Sequence, residues 1–257
     1  MTSSSPAGYD AMKDGPVQAA ALAVSCGGVR ANAARSSTAL EWSRSLLQRA
    51  SLERWRSPDL AGAAVLNDLP SRPGGGAYML CGESIGLRAR RESDVRVLHT
   101  ELYDNVVTRS RADSRPWRPI PPGSAASPYA VAEPSDDAAC FSVVDLADDE
   151  LAGEALLWGI DMHNRVAHIG ISLRASFRGR GLATDVIRVL CGYGFAVRGL
   201  HRLQIETLAD NTPMIRASAA AGFLPEGTLR QSAWVDGGFA DQVVFGLLAT
   251  EWSGRRH

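Results

Sequence analysis

The sequence predicts a mixed α/β (α+β) domain with a largely antiparallel sheet, and three observations support this fold class. Residues 140–146, 151–160 and 166–173 read as three successive strands joined by short polar turns, which is typical of an antiparallel meander. Apolar residues at helical spacing in residues 181–195 and 212–221 indicate two amphipathic helices after the meander. No internal repeat is present, so one mixed layer architecture accounts for the whole pattern.

The remaining elements are predicted from residues that typically begin or end helices and form turns. Asn211 caps the second helix, Pro213 lies in its first turn and Gly222 ends it. Residues 114–134, which are rich in proline and serine, are expected to hold a short helix and a loop. The other expected elements are a strand at residues 84–90, a helix at 92–105, and strands at 202–208, 223–235 and 239–248, the last two around Asp236-Gly237-Gly238.

Residues 1–78 have a different composition from the rest of the chain. They are rich in Ala, Ser, Gly and Arg and end near the linker-like sequence SRPGGG at residues 71–76. Such a segment buries little apolar surface against the entropy of ordering it. Residues 39–60 predict an amphipathic helix, and an unstructured leader is an equal alternative. We expect residues 79–257 to form the folded domain.

Composition excludes several classes of function. The 257 residues carry a formal net charge of −1, which gives no reason to expect nucleic acid or an acidic membrane as a partner. The four cysteines are scattered, so no metal site or redox motif is indicated, and a reduced, cytoplasmic setting is expected. No apolar run reaches the roughly 18–20 residues of a membrane helix, and residues 17–25 only faintly imitate an export signal.

The turn between the strand at residues 166–173 and the following helix predicts an anion site. Its sequence is FRGRGLAT, residues 177–184, with glycines at Gly179 and Gly181 and basic side chains at Arg178 and Arg180. Glycines let the backbone approach a ligand closely, and the first N–H groups of a helix lack internal partners. Together with the helix dipole they favour a pyrophosphate. The Rossmann fingerprint and the Walker loop lysine are both absent, so dinucleotides and nucleoside triphosphates are poor alternatives.

The motif Arg178-x-x-Gly181-x-Ala183 resembles the Q/R-x-x-G-x-G/A motif of the GNAT superfamily of acyl-CoA-dependent acetyltransferases. The resemblance spans roughly residues 84–252. Its C-terminal part looks like the branch typified by the RimJ and RimL ribosomal-protein acetyltransferases. The residues that carry this second resemblance are Asn211, Ile215, Gly222-Phe223, Glu226 to Arg230, and Gly238-Phe239-x-Asp241.

The resemblance implies a GNAT fold, in which the strand at residues 166–173 separates from the strand at residues 202–208. It implies acetyl-CoA as the acyl donor, with pantetheine between these strands and no metal. The residues expected to bind the cofactor are Ile171, Ser172 and Leu173 in the strand, Arg178, Gly179, Arg180, Gly181, Leu182 and Ala183 in the turn, and Asn211 on the pantetheine arm.

Three residues are candidates for proton transfer. His168 stands where several family members carry a catalytic glutamate, and an imidazole that titrates near neutrality suits a base. Glu206 is a second candidate base if its side chain faces the cleft, because strand alternation places it opposite Leu203 and Ile205. Ser218 occupies the position where many relatives carry a tyrosine acid. The alternative for each is a packing or solvent-facing role.

The resemblance implies transfer of acetyl to a primary amine by direct attack. The branch favours a protein N-terminal amine, whereas similar sequences act on antibiotics, polyamines or other small amines. Trp117, Trp158 and Trp234 are candidates to line the acceptor pocket, and Glu226 and Asp241 match branch positions that turn hydrogen bonding also explains. A monomer or a homodimer is expected. The alternative function is a catalytically silent acyl-CoA-binding module that acts in regulation.

Overall fold

The protein is described here by a computed structural model that covers residues 80–113 and 115–252. The expected extension at residues 1–78, with its amphipathic helix at residues 39–60, lies outside the described residues. Within the described ranges, none of the helices combines the length and the apolar character that a bilayer span requires.

In the residues that the structure describes, eight strands form one mixed sheet. They are β1 (Leu80–Cys81), β2 (Ile85–Arg88), β3 (Ala138–Asp145), β4 (Leu151–Asp161), β5 (Val166–Leu173), β6 (Arg202–Leu208), β7 (Leu224–Val235) and β8 (Gly238–Leu248). Their order in the sheet is β1-β2-β3-β4-β5-β6-β8-β7. Every neighbouring pair is antiparallel except β5 and β6, which are parallel. The predicted fold class and the meander of β3, β4 and β5 are therefore confirmed.

Four α-helices accompany the sheet within the described part of the chain. They are α1 (Glu92–Leu98), α2 (Val106–Ala112), α3 (Leu182–Gly192) and α4 (Thr212–Ala220). Five-residue π-helical turns extend α1 over His99–Tyr103 and α3 over Tyr193–Val197.

The prediction for residues 92–134 needs one addition and one correction. The helix predicted for residues 92–105 is confirmed over residues 92–103, which are α1 and its π-helical turn. It is followed by a separate helix, α2, whose first turn is capped by Asn105, the acceptor for the N–H of Thr108 at 3.0 Å. The short helix expected within residues 114–134 was wrong, because the described residues 115–134 form only turns, bends and irregular chain. Prolines recur through this stretch, and each removes a backbone donor and restricts the residue before it.

The main core lies between one face of the sheet and the helices α3 and α4. Side chains of α3, among them Val186, Ile187 and Leu190, are fully buried against Leu157 and Leu203 from the sheet. Burying an aliphatic side chain of this size contributes about 1.5–3 kcal/mol. This packing fixes α3 beneath the sheet and thereby fixes the position of its N-terminus.

A polar contact also holds the N-terminus of α3. The carboxylate of Asp185, in the first turn of α3, accepts hydrogen bonds from the N–H groups of Glu83, Ser84 and Ile85 at 3.1, 2.7 and 3.1 Å. A Cβ at Gly82 would clash with that carboxylate. The turn between β1 and β2 is therefore locked onto the start of α3.

The opposite face of the sheet, called the outer face below, carries polar side chains in cross-strand rows. Ser142, Glu154 and Ser172 lie side by side on β3, β4 and β5. Helix α1 covers part of this face through Asp94, which accepts hydrogen bonds from Arg88 and Ser142. The part of the outer face that carries Trp158, His168 and Glu206 is more open, with Glu206 exposed and 44% of Trp158 accessible.

Candidate active site

The two central strands separate, as the family resemblance implied. β5 and β6 pair only from Val166 to His168 and from Arg202 to Gln204. Beyond this point β5 stays paired with β4 as far as Leu173, and β6 stays paired with β8 as far as Leu208. A fork therefore opens between the C-terminal halves of β5 and β6. Among the described residues, no strand occupies this gap.

The predicted anion turn lies at the open end of the fork. Gly179 and Gly181 have φ values of +76° and +82°, and a Cβ at either position would meet nothing within 4 Å. These glycines are therefore required by backbone conformation rather than by crowding. Gly181 is the N-cap of α3, so the free N–H groups of Leu182 and Ala183 begin at an exposed turn.

The two arginines of the turn play different parts. The Nε of Arg178 donates to the carbonyl of Leu173 at 2.9 Å, which holds the side chain across the end of β5. Arg180 instead lies over the ring of Phe177, 4.7 Å from its centroid, and its Nη1 is 3.4 Å from a carboxylate oxygen of Asp145. Arg178 is thus the better placed of the two to offer its terminal nitrogens to an anion.

Asn211 stands at the same end of the fork, just after β6. Its Oδ1 accepts from the N–H of Met214 at 3.4 Å, so it caps α4 as predicted. Its Nδ2 donates to the hydroxyl of Thr207 at 2.9 Å. The turn and Asn211 follow the C-terminal ends of adjacent parallel strands, where open α/β sheets bind their ligands.

His168 and Glu206 meet on the outer face, at the closed end of the fork. The Nδ1 of His168 lies 3.6 Å from Oε1 of Glu206, and its ring stacks on Trp158 with centroids 4.3 Å apart. Nδ1 is buried and has no hydrogen-bond partner among the described residues. Burial lowers the pKa of His168 below its ordinary value, and although Glu206 raises this pKa, it does not cancel the effect of burial. The imidazole is therefore neutral near pH 7.

Ser218 is shielded from solvent and bonded within its own helix. It is fully buried, and its hydroxyl donates to the carbonyl of Met214 at 2.9 Å, one turn earlier in α4. A hydroxyl that already bonds to its own helix is poorly arranged to protonate a leaving thiolate. Its local arrangement matches the alternative packing role.

Glu154 is a buried acid on the outer face that sequence reasoning missed. It lies on β4 directly across from Ser172, it is almost fully buried, and its Oε2 accepts from Nη2 of Arg90 at 2.7 Å. Burial raises the pKa of Glu154, against the opposing effect of Arg90. The signal was the only acid inside the predicted strand at residues 151–160, because acids rarely occupy such apolar positions without a partner.

The other aromatic and acidic candidates differ in their positions relative to His168. Trp117 donates its indole N–H to the carbonyl of Tyr103 and packs in a second hydrophobic cluster. Trp234 is 63% exposed at the end of the β7–β8 hairpin. Glu226 forms an ion pair with Arg202, and Asp241 accepts from the N–H of Gln231 at 2.8 Å. Of the three tryptophans, only Trp158 lies against His168.

A cavity of about 230 Å³ is present elsewhere and does not belong to the fork. Its walls come from the middle of α3, the end of α4 and the segment after β8; the lining residues are Arg188, Ala219, Ala220, Ala221, Gly222, Leu247, Glu251 and Trp252. It therefore lies toward the opposite ends of α3 and α4 from the anion turn. The described residues also contain no cluster of three or more His, Cys, Asp or Glu side chains that could hold a metal ion.

Two parallel strands that separate, with a glycine-rich turn at the open end, are the features that the resemblance to GNAT acetyltransferases implied. Solved structures of acetyltransferases have a similar fold. Spermidine N-acetyltransferase from Vibrio cholerae, in a crystal structure with CoA and spermine, superposes with a TM-score of 0.55 and 21% identity, covering 65% of the present chain and 97% of that chain. At this identity the likeness is one of fold.

A sequence profile of the acetyltransferase (GNAT) domain matches residues 84–224, and the chain belongs to this family. An uncharacterized N-acetyltransferase, p20, from Bacillus licheniformis is 32% identical over 114 residues, which are 44% of the present chain and 64% of that protein. The spermidine N(1)-acetyltransferase of Vibrio cholerae is 25% identical over 120 residues, which are 47% of the chain and 69% of that protein. The chain thus spans less than two thirds of the length of p20.

Proposed function

We propose that this protein is an N-acetyltransferase that moves acetyl from acetyl-CoA to a primary amine by direct attack. The observation that carries the proposal is the fork between β5 and β6 with the anion turn at its open end. An unpaired strand edge suits the amide groups of pantetheine, and a glycine-rich helix N-terminus suits pyrophosphate. Membership in the GNAT family supports the same reading.

The turn fits a pyrophosphate on the evidence of its own backbone. Gly179 and Gly181 leave open space where other residues would place a Cβ, so a phosphate can approach the N–H groups from Arg180 to Ala183. Arg178, held by its bond to Leu173, would add a charge-assisted contact. Arg180 would contribute its N–H group, since its guanidinium is engaged by Phe177 and Asp145.

The strand edge would bind the pantetheine arm. Ile171, Ser172 and Leu173 are half-buried and lie where β5 has left β6, so their backbone groups on that side are available to a ligand. Among these, the N–H of Ile171 or Ser172 would bond to the acyl oxygen as charge develops on it. Asn211 would contact the arm while it continues to cap α4.

His168 would serve as the general base. Acetyl-CoA supplies the acyl group as a thioester, and the amine must lose a proton as its nitrogen bonds to the acyl carbon. The C–S bond then breaks, and CoA leaves as a thiolate that takes a proton from solvent. A neutral imidazole is ready to accept that proton, and burial keeps His168 neutral. With Nδ1 directed at Glu206, the proton would pass to Nε2. Ser218 has no step in this scheme because its hydroxyl is buried and bonded to Met214.

Two acceptor classes deserve comparison. The residues after β6 that resemble the RimJ and RimL branch favour a protein N-terminal amine. The sequence relationship to a spermidine N(1)-acetyltransferase favours a polyamine. The exposed ring of Trp158 and the carboxylate of Glu206 suit either, because both acceptors arrive as cationic amines.

We also propose that residues 79–257 form the transferase domain and that residues 1–78 are an extension to it. The protein would act in the cytoplasm. The match of the family profile to residues 84–224 supports the first of these statements.

The test is a thiol-release assay with acetyl-CoA and a panel of amines that includes spermidine, spermine and peptides with free N-termini. We expect CoA release that depends on the amine, together with acetylated product by mass spectrometry. Calorimetric binding of CoA without release for any acceptor would contradict the enzyme and would instead support an acyl-CoA-binding module.

A further inference from the structure

A row of polar side chains crosses the outer face, hydrogen-bonded to one another as far as Glu206, and ends at His168, which lies 3.6 Å from Glu206. Its members, called the polar row below, are Glu226, Arg202, Gln204, Glu206 and His168. They come from β7, β6 and β5, which the sheet brings together at the closed end of the fork. Since Gln204 is the cross-strand neighbour of His168, the middle of the row lies beside the candidate base.

The contacts along the row are continuous up to its last step. Arg202 pairs with both carboxylate oxygens of Glu226, with Nη1 at 2.6 Å from Oε1. Nη2 of Arg202 donates to Oε1 of Gln204 at 3.1 Å, and Nε2 of Gln204 donates to Oε1 of Glu206 at 2.7 Å. The same oxygen of Glu206 lies 3.6 Å from Nδ1 of His168.

The backbone of β8 makes room for the start of the row. Gly246 lies opposite Gln204 in the sheet, and a Cβ there would clash with Oε1 of Glu226 and Nη1 of Arg202. The ion pair therefore lies directly on the backbone of β8. Its hydrogen bonds hold the pKa of Glu226 below and that of Arg202 above their ordinary values, so both groups are charged at neutral pH.

The charge of Arg202 decides which way the amide of Gln204 points. A guanidinium has donors only, so the amide oxygen of Gln204 must face it. The NH₂ group is then directed at Glu206, an obligatory acceptor when ionised. This removes the usual ambiguity of an amide orientation, because the reversed amide would set donor against donor and acceptor against acceptor.

Few other charged groups act on His168. Glu206 and Arg202 act on it from β6, with Glu226 beyond Arg202, while β4 presents the uncharged ring of Trp158. A Cβ at Gly159 of β4 would lie 3.3 Å from Cδ2 of the ring, so the imidazole is confined on that side as well. Its buried Nδ1 has Glu206 as the available acceptor.

We propose that Gln204 is a positioning residue, which holds the carboxylate of Glu206 against Nδ1 of His168 and so keeps Nε2 as the proton-accepting nitrogen. The orientation of His168 is a structural statement, and only its use in proton transfer rests on the proposed function. Arg202 and Glu226 act one and two steps further away by fixing the amide of Gln204. Glu226 therefore gains a role beyond that of a turn residue.

Two substitutions of Gln204 should move the pKa of His168 in opposite directions. Gln204→Leu removes both hydrogen bonds and frees Glu206 to leave the ring, so the pKa of His168 should fall. Gln204→Glu keeps an acceptor for Arg202 and adds a carboxylate next to the ring, so the pKa should rise. Both should lower kcat roughly ten-fold by releasing Glu206 from its position, while the KM for acetyl-CoA stays near its original value.

The experiment is an NMR pH titration of His168 in the full chain, with the same series followed by pH profiles of kcat/KM, which report the free enzyme. Gln242→Leu is the matched control, since Gln242 is a half-buried strand glutamine that accepts from Ser232 and is outside the polar row. It should leave the His168 pKa unchanged. His168 pKa values that agree among wild type, Gln204→Leu and Gln204→Glu would overturn the positioning role, whether or not the protein turns over.

The titration also separates the two proposals. Opposite shifts in the two variants support the role of Gln204 even if no amine in the panel is acetylated, an outcome that would count only against the proposed function. Turnover by the wild type with pH profiles that are identical in both Gln204 variants would leave the enzyme standing and overturn the inference.

Discussion

Two polar groups share the outer face of the sheet, and they are built differently. Under helix α1, Asp94 accepts from Arg88 twice, from Ser142 and from the N–H of Arg91, and all its side-chain contacts are buried. At the closed end of the fork, Nδ1 of His168 is buried without a hydrogen bond, and Glu206 is open to solvent. The cluster around Asp94, in which every hydrogen-bonding position described here is filled, stabilises the fold. The pair of His168 and Glu206 retains hydrogen-bonding capacity that a ligand or a transferred proton can use.

The comparison shows that burial or charge alone does not separate structural from functional polar residues. Burial by itself would raise the pKa of Asp94, but the hydrogen bonds from Arg88, Arg91 and Ser142 lower it overall. For His168, burial lowers the pKa and no hydrogen bond compensates. A group held away from its ordinary pKa with an unfilled bonding position is the better candidate for chemistry.

Removing the charge of Asp94 should give the largest effect on stability. Asp94→Asn leaves Arg88 buried without its counter-charge, so the free energy of unfolding should fall by about 3–5 kcal/mol. Urea denaturation at pH 7 measures this loss. Ser142→Ala removes only one hydrogen bond to the carboxylate and should cost clearly less.

The pH dependence of that stability has a definite sign. Because the pKa of Asp94 is lower in the folded than in the unfolded chain, its contribution is present above the unfolded value and is lost as the pH falls through the folded one. The difference in stability between wild type and Asp94→Asn should therefore shrink in acid. A difference that grows as the pH falls would contradict this account of the cluster.

Removing the imidazole of His168 should give the largest effect on activity with little effect on stability. In His168→Ala we expect kcat to fall by about 100-fold or more, the usual contribution of a general base. His163→Ala, at an exposed position in the β4–β5 turn, is the matched control and should retain activity. Unchanged kcat in His168→Ala would assign the residue a packing role against Trp158.

The pH profile of the wild-type enzyme also tests whether His168 is the general base. Because burial lowers the pKa of His168 in the ligand-free protein, the acidic limb of kcat/KM, which reports groups of the free enzyme, should lie below the ordinary histidine value of about 6.5. Activity should rise with pH through this limb as the imidazole loses its proton. A limb well above 6.5 would point to a different titrating group.

Features formed by neighbouring residues could be predicted from the sequence, whereas contacts between residues distant in the chain could not. The anion turn was predictable because Gly179, Gly181 and the start of α3 are neighbours in the chain, and the cap at Asn211 is equally local. The proximity of His168 and Glu206 depends on the parallel register of β5 and β6, which no local pattern records. The buried pairing of Glu154 with Arg90 joins residues that are 64 positions apart in the chain, so no local pattern identifies Arg90 as the partner.

The smallest effect is expected at the anion turn, which lies away from both polar groups. Arg178→Ala should weaken CoA binding about ten-fold, because one charge-assisted contact is lost while the N–H groups of the turn remain. Isothermal calorimetry measures this change. Arg188→Ala, further along α3, replaces an arginine that donates to the carbonyl of Ala220 and should leave the affinity intact.

We expect the fork to hold the acyl donor and the acyl transfer to occur on the outer face, beside His168 and Glu206. A crystal structure with a non-hydrolysable acetyl-CoA analogue tests it most directly. We predict pyrophosphate on the N–H groups of the turn, pantetheine along Ile171 to Leu173, and the acyl carbon on the side of the sheet that carries His168 and Glu206. An acyl carbon on the side of α3, or an analogue bound outside the fork, would contradict the account.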